Sequence, residues 1–156
     1  MKRIGLLGCG AIGTQIALAI DSGKISGILT HIFDDSKEAS SKLLLKLNSK
    51  PEIVENSHLL SSNPVDIVVE AASQDAVKDA GLSILQNKRD LMIMSAGALL
   101  DESIYDILSD ACKDFKKTIY LPSGAIAGLD GLKSVKDELD SLSITTTKHP
   151  RSLQGA

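Results

Sequence analysis

The sequence predicts an α/β protein: a doubly wound parallel sheet followed by the beginning of a second α/β domain. Three observations support this. Short apolar, often β-branched runs alternate with stretches of helical periodicity from Ile4 to Leu121, and such alternation builds a parallel sheet with helices on both faces. Four of the runs end in small residues, Gly8-Cys9-Gly10, Ala71-Ala72-Ser73, Ser95-Ala96-Gly97 and Ser123-Gly124-Ala125. Ligands of these sheets bind beyond the C-terminal strand ends, where small residues leave room for a flat group. Finally, 156 residues, 43% of them hydrophobic, suffice for one ordinary domain or one domain and a fragment.

The elements follow in order. Ile4 to Leu7 reads as a buried strand ended by glycines. From Ala11 a helix starts with Ile12, Ile16, Ala19 and Ile20 on one face, and Gly23 and Gly27 punctuate its end. Residues 28–33 form a second strand that closes on Asp34-Asp35. A helix over 36–47 has Ala39, Leu43 and Leu47 at four-residue spacing, and Pro51 stops it. Residues 51–63 predict a short strand near Ile53-Val54 and a short helix over 55–60. Residues 65–70 are a strong strand, and Ser73 caps the next helix, whose face is Val77, Ala80, Gly81 and Ile84. Residues 91–94 form the next strand. Asp101 then caps a helix with Ile104, Ile107, Leu108, Ala111, Cys112 and Phe115 on its face, and 118–121 is another strand. Beyond Gly124 the pattern changes to a glycine-containing, helix-like stretch over 125–139 and a β-branched strand over 141–148.

Composition excludes several classes. The formal net charge is -3, from 17 Lys+Arg against 20 Asp+Glu, with both signs spread along the chain. No basic footprint asks for nucleic acid, and with aromatics at 3% and no Trp there is no base-stacking platform. Lys2-Arg3 before an apolar run imitates a leader peptide, but the run to Cys9 is too short for one. The apolar stretch 91–100 is about half a membrane span. Two widely separated cysteines, Cys9 and Cys112, make no metal or disulfide pattern and fit a reducing, cytoplasmic setting. His31, His58 and His149 form no close-spaced ligand set, so no metal site is expected.

The motif that carries chemistry is Gly8-Cys9-Gly10-Ala11-Ile12-Gly13, a G-x-G-x-x-G between a strand and a helix. Gly8 permits the tight turn. Gly10 lets the backbone approach a pyrophosphate, and Gly13 lets the helix pack close to the strand. The helix N-terminus then offers free N–H groups to the phosphates. Asp34, 21 residues after Gly13, is placed to accept hydrogen bonds from the adenosine ribose and to repel a 2′-phosphate. These residues predict a Rossmann-type dinucleotide-binding domain over 1–122 with NAD as its cofactor, while Lys37 nearby leaves NADP open.

The remaining polar residues read as follows. Cys9 is either a redox-sensitive thiol activated by the helix N-terminus or a small residue that fits under the cofactor, and the second is preferred. Cys112 is core, and His31 is a structural residue within a strand. His58, with no partner near it in the sequence, reads as a surface residue. Lys148, His149 and Arg151 form a basic cluster, either a solvated tail or part of a carboxylate-binding wall.

The segment Leu121-Pro122-Ser123-Gly124-Ala125-Ile126-Ala127-Gly128-Leu129-Asp130-Gly131-Leu132 is distinctive. Together with the glycine motif, Ser95-Ala96-Gly97-Ala98-Leu99 and the tail Thr147-Lys148-His149-Pro150-Arg151-Ser152-Leu153, it resembles the L-aspartate dehydrogenases over essentially the whole chain. The resemblance implies NAD(P)-dependent oxidation of L-aspartate to iminoaspartate, which hydrolyses to oxaloacetate and ammonia, or feeds pyridine nucleotide biosynthesis. It also implies a C-terminal α/β domain that completes the active site and forms a homodimer. The cofactor residues it matches are Gly8, Cys9, Gly10, Ala11, Ile12, Gly13, Asp34, Ala71, Ala72, Ser73 and Ala125, and Lys148 and Arg151 lie near the substrate pocket.

The family's later Asn-Val-Asn-type segment and catalytic histidine have no counterpart among these 156 residues, and His149 lies in a different motif. Residues 123–156 are therefore expected to be the incomplete start of the catalytic and dimerisation domain, with no catalytic residue nameable from them. Two other readings are carried forward. One is a free-standing NAD-binding or redox-sensing module without catalysis. The other is a neighbouring dehydrogenase or reductase, homoserine dehydrogenase or dihydrodipicolinate reductase, which shares the glycine loop but not the segment 122–132.

Overall fold

The computed structural model describes residues 1–123, 129–143, 145 and 147. The chain divides into two compact units, Met1–Pro122 and Ser123–Ala156.

In the first unit, six parallel strands form one sheet in the order β3-β2-β1-β4-β5-β6. The strands are β1 (Arg3–Leu7), β2 (Ile28–Phe33), β3 (Glu52–Ile53), β4 (Ile67–Glu70), β5 (Asp90–Ile93) and β6 (Ile119–Tyr120). Helices α1 (Ala11–Asp21), α2 (Lys37–Lys46), α3 (Ser57–Ser62), α4 (Gln74–Gln86) and α5 (Glu102–Phe115) make the crossovers, and a 3₁₀ turn, Ala96–Leu100, precedes α5. The chain winds from β1 outward to β3, then returns to place β4 on the other side of β1. The reversal between β1 and β4 is the topological switch point, where such sheets open a crevice for ligands.

Strand alternation distributes the core to two layers. Ile4 and Leu6 of β1 and Ile67 and Val69 of β4 pack with Ala17 and Ile20 of α1 and Leu43 of α2. Leu7 of β1, Val68 of β4, and Leu91 and Ile93 of β5 pack with Val77, Ala80 and Ile84 of α4 and Leu108 and Ala111 of α5. The expected doubly wound arrangement is the one observed.

Local chemistry sets the helix boundaries. Ser36, Asn56, Ser73 and Asp101 each cap a helix by accepting a backbone N–H of its first turn. The short third strand and helix lie where the pattern placed them, displaced by one or two residues.

Two faces differ from expectation. In α1 the buried stripe is Gly13, Ala17 and Ile20, while Ile12 is 54% exposed. The close approach at Gly13 turns that narrow stripe toward β1 and rotates Ile12 outward. In α5, Leu108 and Ala111 are buried, but Ile107, at the margin of that face on the side away from Leu108, is exposed. His58 is exposed, as expected, but it has a partner, its Nδ1 lying 3.0 Å from Ser83 Oγ. The folded crossover brings α3 beside α4, a contact that sequence neighbours cannot reveal. His31 is buried as expected, with Nδ1 2.9 Å from Thr30 Oγ1 and Nε2 3.6 Å from Glu52.

In the second unit, α6 (Leu129–Ser134) and a 3₁₀ turn, Lys136–Glu138, are the helix-like stretch. The strand expected over 141–148 is not observed at Ser141, Leu142, Ser143, Thr145 or Thr147, and the other residues of that segment lie outside the described ones. A strand is held by ladder bonds to a neighbour, and among the described residues none is offered to this segment.

Candidate functional site

The glycine turn joins β1 to α1 at the switch point. Gly8 has φ +103, a left-handed conformation that favours glycine, and a Cβ there would stand 2.6 Å from Ala71 O. A Cβ on Gly13 would stand 2.0 Å from Gly8 O. Both glycines are therefore demanded by the fold itself. Gly10 is different. Its backbone (φ -68, ψ -159) is open to any residue, and a Cβ there would meet nothing within 4 Å. The space above Gly10 is kept clear without any neighbour of the described chain requiring it.

The N-terminus of α1 has the matching electrostatics. Helices α2 to α5 each have a side-chain cap, whereas Gly10 gives α1 none, and its first turn has no acidic residue. The orphan N–H groups and the positive end of the helix dipole are left for an outside acceptor. Gly10 and Ala11, with Thr14, border a hollow reached by Lys42 and Lys46 of α2. Neither lysine has any signal in the sequence beyond its place on a helix.

Asp34 follows β2 and faces the turn. Its Oδ2 accepts the Cys9 N–H at 2.7 Å, and its Oδ1 accepts the Ser36 N–H at 2.8 Å. Each oxygen retains a further lone pair for a hydroxyl donor. Leu7, Gly8, Asp34, Ala72 and Ser73 line one crevice at the switch point. Asp35, Asp75 and Asp79 border the same crevice. Four carboxylates thus surround a space beside the glycine turn, an environment that welcomes hydroxyls and opposes an added phosphate. Asp75 and Asp79 read in sequence as ordinary residues of the first turns of α4, and only folding brings them opposite Asp34.

Cys9 contributes its backbone to the site and its side chain to the core. Its sulfur is buried with the α1–α2 layer, 3.8 Å from Ser40 Oγ and 3.7 Å from Phe33 O. Burial pushes the thiol up to about 11, with the charge of Asp34 acting the same way against an opposing hydrogen bond from Ser40. This placement opposes the reactive-thiol reading and leaves the side chain buried beneath the turn. Ala11 and Ile12 are exposed beside the turn. Ala125, Lys148 and Arg151 lie outside the described residues.

Glu70 is a functional candidate that the sequence conceals, because it reads as the last residue of a strand. It is completely buried. Its Oε1 accepts the Ala72 N–H at 2.8 Å and the Ser95 hydroxyl at 2.8 Å, and its Oε2 accepts the Ser95 N–H at 3.0 Å. An acid ending an otherwise apolar central strand is the available signal, since both faces of such a strand are covered.

Residues 8–122 match the family model described as the NAD-binding domain of homoserine dehydrogenase. The chain belongs to that NAD-binding family. Over all its 156 residues it is 80% identical to the L-aspartate dehydrogenase of Nitrosopumilus maritimus, and it spans 57% of that relative's length. It is 44% identical to the L-aspartate dehydrogenase of Methanococcoides burtonii, spanning 58% of it. Among solved structures, the aspartate dehydrogenase of Thermotoga maritima superposes with a TM-score of 0.63 at 27% identity, over 88% of this chain and 52% of that one. The myo-inositol dehydrogenase of Lactobacillus casei, solved with NAD(H) and myo-inositol, superposes with a TM-score of 0.75 over 88% of this chain and 42% of that one. At 15% identity the latter speaks for the fold of an NAD-binding domain alone.

Proposed function

We propose that this chain is the nucleotide-binding part, with the first residues of the catalytic domain, of an NAD-dependent L-aspartate dehydrogenase. The observation that carries the reading is the extent of the match. The homoserine dehydrogenase model ends at residue 122, whereas the L-aspartate dehydrogenases align through residues 123–156 as well. The segment beginning at Pro122 is thus shared with enzymes named for aspartate.

In this reading the diphosphate of the cofactor lies over Gly10 against the N-terminus of α1, where Ala11 and Ile12 border it. Asp34 accepts the adenosine ribose hydroxyls, and Ala71, Ala72 and Ser73 form the wall of the crevice. Asp35, Asp75 and Asp79 reinforce the preference for NAD over NADP by opposing a 2′-phosphate. NAD held there would supply the hydride acceptor for oxidation at Cα of L-aspartate. The amine nitrogen loses a proton as the C=N bond of iminoaspartate forms, and water then releases oxaloacetate and ammonia. Ala125 is assigned to the cofactor, and Lys148 and Arg151 to the substrate carboxylates, by the aspartate dehydrogenase resemblance alone. The rest of the second domain, in a cytoplasmic homodimer, supplies the proton-transfer group.

The test is an assay of the sequence in the full-length context its relatives have. L-Aspartate should drive NADH formation and L-homoserine should not, and Arg151→Ala should raise KM for aspartate. Asp34→Ala should weaken NAD more than NADP. Turnover of homoserine but not aspartate would overturn the assignment.

A further inference from the structure

The buried carboxylate of Glu70 stands outside the cofactor contacts argued above, yet it joins two of the loops that form their floor. β4 and β5 are neighbours in register, with Glu70 opposite Ile93. Each strand is followed by a loop of small residues, and the only side chain reaching between the two loops in the described hydrogen bonds is that of Glu70. On one side it holds Ala72 N, next to the Ala71 carbonyl against which Gly8 is pressed. On the other it holds both the backbone and the hydroxyl of Ser95. The Ser95 loop in turn touches α4, since a Cβ on Gly97 would stand 2.5 Å from Gln74 Nε2.

The strand order says which half of a dinucleotide this loop serves. Asp34 follows β2, the glycine turn follows β1, and β4 and β5 come next across the sheet. With the adenosine ribose at Asp34 and the diphosphate at Gly10, the remaining mononucleotide extends toward the ends of β4 and β5.

We infer that Glu70 is a positioning residue for the nicotinamide half of the cofactor: it fixes the Ser95–Gly97 loop to the Ala71–Ser73 loop and so to the glycine turn. The inference rests on the dinucleotide reading given under Proposed function. It draws its force from the price of the arrangement, because a fully buried carboxylate is retained only where donors compensate its lost hydration. Three donors do so here, two of them from the β5 loop.

Glu70→Gln makes the inference testable. An amide has one acceptor atom. Its oxygen takes the Oε1 place, where the Ala72 N–H and the Ser95 hydroxyl meet, and its –NH₂ then confronts the Ser95 N–H, so the β5 loop loses its backbone bond and keeps only that of the hydroxyl, while Ala72 stays held. Titrations of the 156-residue chain with NADH and with ADP-ribose, which lacks the nicotinamide, separate the two halves. The expected result is NADH binding about tenfold weaker, the loss of one charge-assisted hydrogen bond, with ADP-ribose binding within about threefold of the parent. A variant with a lower melting temperature but unchanged NADH affinity, or with equal losses for both ligands, would overturn it. If Glu70→Gln does not fold, Ser95→Ala removes one of the three donors and should cost about threefold for NADH alone; no loss there overturns the inference. A parent chain that binds neither ligand removes the dinucleotide reading itself, and the inference falls with it.

Discussion

Cys9 lies between the first two glycines of the turn, and the direction of its sulfur decides its chemistry. A thiol beside a helix N-terminus is activated when it faces the dipole in solvent. This one faces the layer beneath α1 and α2, and burial holds it up at about 11. Cys112, partly buried on α5 against the core, is also raised by burial, but it is less enclosed than Cys9. Treatment of the native chain with a thiol-specific disulfide reagent near neutral pH should therefore label Cys112 first. Cys9 should react only after denaturation, and peptide mapping reads the order. Rapid native labelling of Cys9 would mean that its sulfur faces outward. At this scale the sequence is only partly legible. Residue type and spacing single out Gly8, Gly10, Gly13 and Asp34. They do not distinguish the glycines the fold requires, Gly8 and Gly13, from the one it leaves free, Gly10, because that difference lies in contacts with Ala71 and with Gly8 itself.

Elements are joined near the chain surface by two aspartates. Asp21, at the end of α1, holds the residues after α2 through Ser49 and Asn48, and those hydrogen bonds lower it from 3.8 to about 2. Asp66, just before β4, receives the guanidinium and backbone N–H of Arg3 in β1 and is lowered likewise to about 2. In both cases the folded value lies below the unfolded one. Their contribution to stability is present above 3.8 and is lost as pH falls toward 2. The melting temperature should fall over that window, and Asp21→Asn and Asp66→Asn should each flatten the fall. A profile identical to the parent's would show that the bonds contribute nothing in solution. The order and type of the elements were legible because period-two and period-3.6 patterns alternate with clear capping residues. The exposed Ile12 and Ile107 were not, because a helix with apolar residues on more than one face has no preferred inward side until it meets a sheet. At Ser141, Leu142, Ser143, Thr145 and Thr147, the described residues of the expected last strand, no strand is observed: β-branched residues favour a strand only where a partner strand stands beside them.

Across the six-stranded sheet, the glycine turn, Asp34 and the Glu70 clamp lie at the C-terminal ends of three adjacent inner strands, around the point where the winding reverses. Strand alternation and the glycine spacing made that placement readable. The buried clamp and the acidic wall of α4 were hidden because their partners lie about 25 to 45 residues away along the chain, a separation that local pattern cannot bridge. In the proposed reading the free space above Gly10 takes the cofactor diphosphate. The most direct test is a calorimetric titration of NADH into the 156-residue chain and into its Gly10→Ala variant, with melting curves for both. The variant should melt within about 4 °C of the parent, since its backbone angles and surroundings accept a methyl group at the cost of a poorer helix cap. Its NADH affinity should nevertheless fall by about tenfold or more, because the methyl group occupies the approach to the diphosphate. Equal affinity in parent and variant would contradict the claim.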